Sequence, residues 1–486
     1  MPELPEVETV RRVLNLWCKD QIIKKVHVYY NRVLENSDEQ SLNALICSKK
    51  ILDVNRRGKF LVFDLGDYVL LSHLRMEGKW HYGFFVGQVG LEGLEFNPLT
   101  KNDDKDQKHV HLAIELENNQ LLMYHDVRKF GKVGVYKKED YEQNSPLSKL
   151  GKEPFDETLT ADELKEKFKD CKMSLKQMLL SQEFIAGVGN IYADEIAFKL
   201  SLLPTTPVKD LSLSQCDELI KETRIVLAKA IELGGSTIKS YHAANNVDGK
   251  FQNELLVYGK GGEHCVRCGH ILYKTTLNGR GTTYCPSCQK SNLKNRIIGV
   301  TGAIGSGKSK VSSLFEEQGY TILDADKIVK ENQEVDKVLY LKMIKLFKEN
   351  ILNEDKTLNK QLIRELIIND KQLKEKLEGI IHPFVKEVIY KELFNNPNKK
   401  FVLDVPLLFE ANMDSICDKL VFVDINPDVQ KERLISRNTM SLEHAKGFEN
   451  SILKNNEKKN KCDFIVNNNG TIEDLKNQID KIISNI

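Results

Sequence analysis

Three stretches of this chain hold residues whose types and spacing could do chemistry. Cys265-Val-Arg-Cys268 and Cys285-Pro-Ser-Cys288 are paired cysteines, the spacing at which four thiolates close a tetrahedral shell round a structural zinc ion and leave no open position for water. A zinc deaminase is excluded, because Pro286 follows its cysteine and no His-x-Glu pair precedes it. Shortly afterwards comes Gly302-Ala-Ile-Gly305-Ser306-Gly307-Lys308-Ser309. Its glycines have the spacing of a loop whose backbone N–H groups cradle nucleotide phosphates, with Lys308 reaching the β and γ oxygens and Ser309 holding Mg²⁺. The third stretch is the start, Met1-Pro2-Glu3-Leu4-Pro5-Glu6. With Met1 removed, Pro2 would present a secondary amine that titrates near pH 8, roughly as an ordinary α-amino group does, and could form an iminium with a sugar carbon. Glu3 would stand beside it as acid or base. The same residues also suit a plain helix start, with proline and acids in the first turn.

The elements that must position these groups change character along the chain. Residues 22–136 show short alternating apolar runs such as Phe60-Leu-Val-Phe, broken by Gly, Asn and Asp, which predict strands of an antiparallel sandwich or barrel. The Gly-, Asn- and Lys-rich residues 85–107 predict a mobile loop. From residue 150 to 233 the period is helical, interrupted by Gly187-Val-Gly189-Asn190. After Asn295, strand, glycine loop, helix and strand alternate, the pattern of an α/β domain with a parallel sheet.

At 486 residues the chain exceeds one core, and 29% charged with 41% hydrophobic residues describes a soluble globular protein. No apolar run is long enough for a membrane span and no signal-like segment opens the chain, so a cytoplasmic location is expected. Ten cysteines, six of them scattered, fit a reducing compartment with one metal site. Net charge is +1, but between Lys260 and Arg296 the basic residues meet the single acid Glu263, a distribution that suits contact with a phosphate backbone.

Residues 1–290 resemble the bacterial formamidopyrimidine-DNA glycosylases, which remove oxidised purines and then nick the strand. The motifs carrying the resemblance are the N-terminus, Arg56-Arg-Gly-Lys59, His73-Leu-Arg-Met76-Glu-Gly, Asp126-Val-Arg128-Lys-Phe130-Gly, Gly187-Val-Gly-Asn190-Ile-Tyr-Ala-Asp-Glu195 and the four cysteines. The resemblance implies Pro2 as nucleophile, with Glu3, Lys59 and Arg280 as further catalytic residues, Arg280 lying at the tip of a zinc-held hairpin. It makes Met76, Arg128 and Phe130 the residues that fill the gap left by a flipped base, and His109 a contact to DNA. Asn190, at the glycine turn between two helices, suits a phosphate contact, and Lys172 and Lys176 just before that region are candidates for the same. The loop 237–251 would cover the flipped base. Two departures from the family pattern are Ser181, where Asp is common, and Val110.

Residues from about 297 onward resemble dephospho-CoA kinases, on the glycine loop, Asp324-Ala-Asp326, His382-Pro383, Asp404-Val-Pro-Leu-Leu-Phe-Glu410 and Gln430-Lys-Glu-Arg433-Leu-Ile-Ser-Arg437. This implies Asp326 as base for the acceptor hydroxyl. Gly302, Gly305, Ser306, Gly307, Lys308, Ser309 and Lys310 would hold ATP, with Arg433 and Arg437 closing over its phosphates. Lys310, Lys330 and Ile452 depart from the family's usual residues.

The expectation is therefore a multidomain chain. An N-terminal β-sandwich (1–145) precedes a helical helix-two-turn-helix domain (146–250), a zinc-finger β-hairpin (251–292) and an α/β P-loop kinase domain with a parallel sheet (296–486). Its expected function joins excision of 8-oxoguanine and formamidopyrimidines from damaged double-stranded DNA to phosphorylation of dephospho-CoA, with one structural Zn²⁺, ATP and Mg²⁺, no membrane, and a monomeric chain. The competing reading is a non-catalytic zinc-containing DNA-binding protein, Met1 retained over Pro2, joined to a different P-loop small-molecule kinase.

Overall fold

The computed structural model describes residues 2–84, 109–236, 249–303, 305–405, 408–436 and 456–486. The loop expected at 85–107, most of the loop at 237–251, Arg437 and Ile452 lie outside these described residues. The chain divides into two compact units, Met1–Val266 with Thr276–Tyr284, and Arg267–Thr275 with Cys285–Ile486.

In the first unit, helix α1 (Leu4–Cys18) begins with a proline in its first turn and buries Val7, Val10, Leu14 and Cys18, which recur every three or four residues along one stripe. Eight strands follow: β1 (Ile23–Val28), β2 (Asp53–Arg57), β3 (Phe60–Asp64), β4 (Tyr68–His73), β5 (Lys79–Phe84), β6 (Val110–Leu116), β7 (Gln120–His125) and β8 (Lys132–Lys137). They form two four-stranded antiparallel sheets, in the orders β1-β6-β7-β5 and β2-β3-β4-β8. Leu61 and Phe63 join the stripe of α1 and Trp80 in the main core, while Phe60 and Val62 point the other way and pack with Leu147. With both faces of β3 covered, its apolar run is continuous where one solvated face would leave an alternation.

A helical cluster completes this unit: α2 (Ala161–Phe168), α3 (Leu175–Ser181), α4 (Asn190–Lys199) and α5 (Leu213–Glu232). Ser174 with Gln177 and Ser212 with Gln215 form capping boxes that start α3 and α5. The hairpin β9 (Tyr273–Leu277) and β10 (Arg280–Tyr284) turns at Asn278 and Gly279, φ +49° and +73°. Two successive positive φ values are what a two-residue turn between right-twisted strands demands, hence Asn-Gly.

The second unit is built on five parallel strands, β11 (Ile297–Gly302), β12 (Thr321–Asp324), β13 (Phe401–Asp404), β14 (Lys419–Asp424) and β15 (Phe464–Asn467), in the order β12-β13-β11-β14-β15. Helices α6 (Lys308–Glu317), α7 (Ala325–Asn332) and the long α8 (Lys371–Asn395) lie among the crossovers. The centre of the sheet is buried on both sides, with Ile298, Val300 and Val402 in one core and Ile297, Phe401 and Leu403 in the other. Among the described residues no helix is long and apolar enough to cross a membrane.

Arg296, the residue before β11, is almost fully buried, with its guanidinium 5.2 Å from the Phe401 ring. It donates to the carbonyls of Leu393, Asn396 and Lys399, closing the end of α8, where the last carbonyls have no partner within the helix. Arg296→Ala orphans these acceptors and removes the packing, so it should cost about 2–4 kcal/mol. The check is thermal unfolding followed by hydrogen exchange: protection of β11, β13 and α8 should be lost at a lower temperature in the variant, while that of α1 and the antiparallel sheets stays in place.

Candidate active sites

The first site is made where the chain's start meets the turn between α3 and α4. Leu4 N–H donates to the Gly187 carbonyl at 3.0 Å, and Glu3 Oε1 accepts from Ile191 N–H at 2.9 Å. A Cβ on Gly187, whose φ is +94°, would stand 2.3 Å from Leu4, and one on Gly189 would stand 2.2 Å from the Glu3 carboxyl. Gly187 is therefore required by close approach and by backbone conformation, and Gly189, whose backbone is extended, by close approach alone. Gln182 shapes the turn, accepting from Gly187 N–H at 2.8 Å and donating to the Val188 carbonyl. Lys59 Nζ donates to the same carbonyl at 2.9 Å.

Pro2, Glu3, Glu6 and Lys59 are all buried. Burial pushes the Glu3 carboxyl up to about 7, with Lys59 opposing and Glu6 adding to the rise. Burial holds the Lys59 ammonium below its usual range, against the pull of Glu3 and Glu6, and Arg280 lowers it further. Sequence reasoning missed Glu6. Its carboxylate accepts from Glu3 N–H at 2.8 Å, from Tyr192 O–H at 2.7 Å and from Ser236 N–H at 2.7 Å, so it ties α1 to α4 and to the segment after α5.

Arg280 is exposed on β10. Lys176, expected to touch a DNA phosphate, does not: it is 1% exposed and donates to Asp194 at 2.7 Å, the Gly281 carbonyl at 2.8 Å and Thr282 Oγ1 at 2.9 Å. Asp194 also accepts from Thr283 N–H at 2.9 Å, and Asn190 Nδ2 from the start of α4 donates to the Gly281 carbonyl at 3.2 Å. Lys176, Asp194 and Asn190 thus fasten the hairpin that carries Arg280. Lys172 is exposed on the surface. Glu195, which closes the Gly187–Glu195 motif but whose role sequence reasoning missed, is buried and accepts from the N–H groups of Leu256, Val257 and Tyr258, fixing the segment that leads towards the cysteines.

The candidate gap-filling residues sit on two turns. Asp126 is fully buried and accepts from Arg128 N–H at 3.0 Å, Phe130 N–H at 2.9 Å and Gly131 N–H at 2.7 Å. That brace holds Phe130 53% exposed, with the Arg128 guanidinium 5.1 Å from its ring. Met76 follows Arg75, which has φ +52° and donates its N–H to His73 Nδ1 at 3.0 Å. Met76 is half-buried. His109 packs its ring against His125, centroids 5.5 Å apart.

The sulfurs of Cys265, Cys268, Cys285 and Cys288 all lie within 4.8 Å of one another. Zinc–sulfur bonds of about 2.3 Å in a tetrahedron place sulfurs roughly 3.8 Å apart, so the set fits zinc. Cys288 N–H points at Cys285 Sγ, 3.4 Å away, and buried Gln289 accepts from Cys285 N–H at 2.8 Å.

The second site lies at the carboxyl end of the central strand β11. Gly305 and Gly307 have φ +79° and +89°, and a Cβ on Gly307 would stand 2.1 Å from Asn468 Nδ2. That amide donates to the Ser306 carbonyl at 2.6 Å, and Arg433 donates to the Asn468 carbonyl at 3.3 Å. Lys308 Nζ turns back onto the carbonyls of Gly302 and Ala303, at 3.0 and 3.2 Å. Burial lowers its pKa, with Asp404 and Asp326 opposing. Ser309 and Lys310 are exposed at the start of α6. Asp324 caps α7 by accepting from the N–H groups of Asp326 and Lys327, at 2.8 and 3.1 Å, which leaves the carboxyl of Asp326 for chemistry. Burial raises Asp326, Asp324 adds to the rise and Lys308 opposes it. Asp404, whose role sequence reasoning missed, ends β13 and accepts from Ser312 Oγ at 3.0 Å. Asp326, His382, Val385, Lys386 and Met413 line a cavity of 150 Å³.

Family models match in series: the formamidopyrimidine-DNA glycosylase N-terminal domain at residues 1–133, that family's H2TH domain at 150–242, and the zinc finger found in FPG and IleRS at 262–290. The formamidopyrimidine-DNA glycosylase of Bacillus licheniformis is 40% identical over 291 residues, which is 60% of this chain and all of that protein. The chain belongs to the formamidopyrimidine-DNA glycosylase family. The Ureaplasma parvum glycosylase is 38% identical over 290 residues, again its whole length. Among solved structures, the Lactococcus lactis glycosylase bound to DNA containing an abasic site is 37% identical, with a TM-score of 0.52, covering 59% of this chain and 99% of that one. A variant of the same protein with Fapy-dG-containing DNA gives a TM-score of 0.53 at the same identity and coverage. What this glycosylase family leaves over is matched by the dephospho-CoA kinase model, residues 296–474.

Glu3 generates a pH dependence whose sign is fixed. Between pH 4.5 and about 7 the folded state keeps a proton that the unfolded chain has released. The folded state then binds more protons, so stability should fall as pH rises through this window, by on the order of 3 kcal/mol at most. Glu3→Gln should flatten that slope in denaturant titrations of the transition that DNA stabilises.

Proposed function

We propose that the chain is a bifunctional enzyme, a DNA glycosylase/AP lyase for oxidised purines joined to an ATP-dependent dephospho-CoA kinase. For the lyase, the observation that carries the reading is the convergence of Glu3, Lys59 and the Arg280 hairpin on the chain's start. With Met1 removed, the Pro2 amine attacks C1′ of the damaged nucleotide and the base leaves. Opening of the sugar ring, with a proton to its oxygen, then forms an iminium that serves as electron sink for β- and δ-elimination. Glu3 suits that proton transfer because burial raises its carboxyl to about 7, so that both its acid and its base forms are available near neutrality. Arg280 grips phosphate beside the lesion with a charge that does not titrate. Phe130, Arg128 and Met76 occupy the space of the flipped base. Zinc, when bound, is structural: Lys176 and Asp194 hold the hairpin at one end and the four cysteines hold the other.

In the kinase, the acceptor hydroxyl gives its proton to Asp326 as its oxygen attacks the γ-phosphorus, and ADP departs. Lys308 meets the phosphates, turning from the loop's own carbonyls, while Asp404 and Ser309 offer oxygens beside the loop for Mg²⁺. The cavity beside Asp326 is the candidate acceptor site, with His382 and Lys386 as its polar lining.

Borohydride should trap the protein covalently on an 8-oxoguanine duplex, and Pro2→Gly should cut adduct formation at least about a hundredfold. Intact mass showing Met1 retained, or undiminished trapping by the variant, would remove Pro2 as nucleophile. ATP consumption should depend on dephospho-CoA and drop at least about a hundredfold in Lys308→Ala, while trapping on DNA is unchanged. Consumption with another acceptor instead would favour a different small-molecule kinase.

A further inference from the structure

The helix α8 carries more than the lining of the acceptor cavity. His382, Lys386 and Tyr390 follow one another at intervals of four, so they lie on one face, a turn apart. The first two line the cavity and the third lies beyond it. Pro383 stands within this helix, where it cannot donate to the carbonyl of Gly379, so the ladder is broken beside the cavity. The opposite side of the cavity includes Met413, which runs into the turn Asp414–Ile416.

Both walls are held by the segments around Cys268, Cys285 and Cys288, which belong to the same unit. His270, two residues after Cys268, is bonded through Nε2 to Tyr390 O–H at 2.8 Å and through Nδ1 to Ser415 Oγ at 3.3 Å. One imidazole therefore bridges helix and turn. Tyr273 donates to the Glu387 carbonyl at 3.4 Å and packs its ring on Tyr390, centroids 5.5 Å apart. From the second cysteine pair, Ser287 donates to the Ser415 carbonyl at 3.1 Å and Lys290 to the Ile416 carbonyl at 2.7 Å. His270, Ser287 and Lys290 lie beside the cysteines and Tyr273 opens β9, so the four thiolates fix where these side chains stand once zinc is bound.

We propose that the zinc knuckle is also a positioning part of the kinase: His270 and Tyr273 clamp the two walls of the acceptor cavity, so that zinc occupancy sets the affinity for the acceptor. The proposal rests on the reading of residues 296–486 as a kinase and of this cavity as its acceptor site. It assigns the cysteines a task in the unit that does not carry Arg280. No P-loop residue lines this cavity, so ATP should be indifferent to the clamp.

The test uses the full chain, zinc-loaded and after chelation. Zinc removal and His270→Ala should each raise the dissociation constant of dephospho-CoA, measured by calorimetry, between about twofold and thirtyfold, the range of a coupling carried through packed neighbours. The KM for dephospho-CoA should rise with it while the KM for ATP and kcat stay within about twofold, and the two changes together should do little more than either alone. Tyr273→Phe, which keeps the ring, should be near wild type, and Tyr273→Ala should not. Hydrogen exchange should quicken at residues 387–395 and 413–418 on chelation, with the P-loop unaffected. Unchanged exchange there, or a uniform loss of ATP and acceptor affinity, overturns the proposal. Absence of turnover in the zinc-loaded protein, with the exchange difference still present, would count against the kinase reading and leave the clamp standing.

Discussion

The glycosylase unit depends on one close approach, that of the chain's start to the turn at Gly187–Gly189. Leu4 and the Glu3 carboxyl occupy the space where Cβ atoms would be. From that contact follow the burial of Glu3 and Lys59, the shared use of the Val188 carbonyl by Lys59 and Gln182, and the entry of α4 directly beneath the site. A carboxyl and an ammonium buried side by side each lose hydration, and their mutual attraction offsets part of that loss. The site is therefore held by backbone geometry at least as much as by charge. A substitution at either glycine would spoil the electrostatics without touching a charged residue.

The kinase unit answers the same problem differently. Its phosphate loop is open for ligand, so the lysine rests on the loop's own carbonyls and keeps its carboxylate neighbours at a distance that attracts without pairing. Two acids two residues apart where β12 passes into α7 divide their work: Asp324 spends its oxygen on the helix cap, and Asp326 keeps its own. In both units, then, the reactive group is singled out by giving its neighbour a structural task.

Much of this was legible in the sequence, and the misses have a common cause. The cysteine pairs, the glycine loop and Pro2-Glu3 are local patterns whose chemistry is set by spacing, and the sandwich, helical cluster and parallel sheet follow from periodicity. Lys176 was misread because a lysine in an amphipathic helix looks the same whether it faces solvent or Asp194, and its partners come from distant segments. Glu6, Asp126 and Glu195 look in sequence like solvated acids. Each is a buried acceptor for several backbone N–H or O–H groups, a role that exists only after the fold assembles those donors. Asp404 needed the sheet order, since β13 becomes the neighbour of the P-loop strand only through a crossover.

Asn468 stands at the far end of the outermost strand, β15, and its amide holds the Ser306 carbonyl of the phosphate loop. The loop and its support are 162 residues apart in sequence. During synthesis the nucleotide site thus waits until Asn468 has emerged, and a chain stopped between the loop and that residue would possess the phosphate-binding loop yet lack the brace that shapes it.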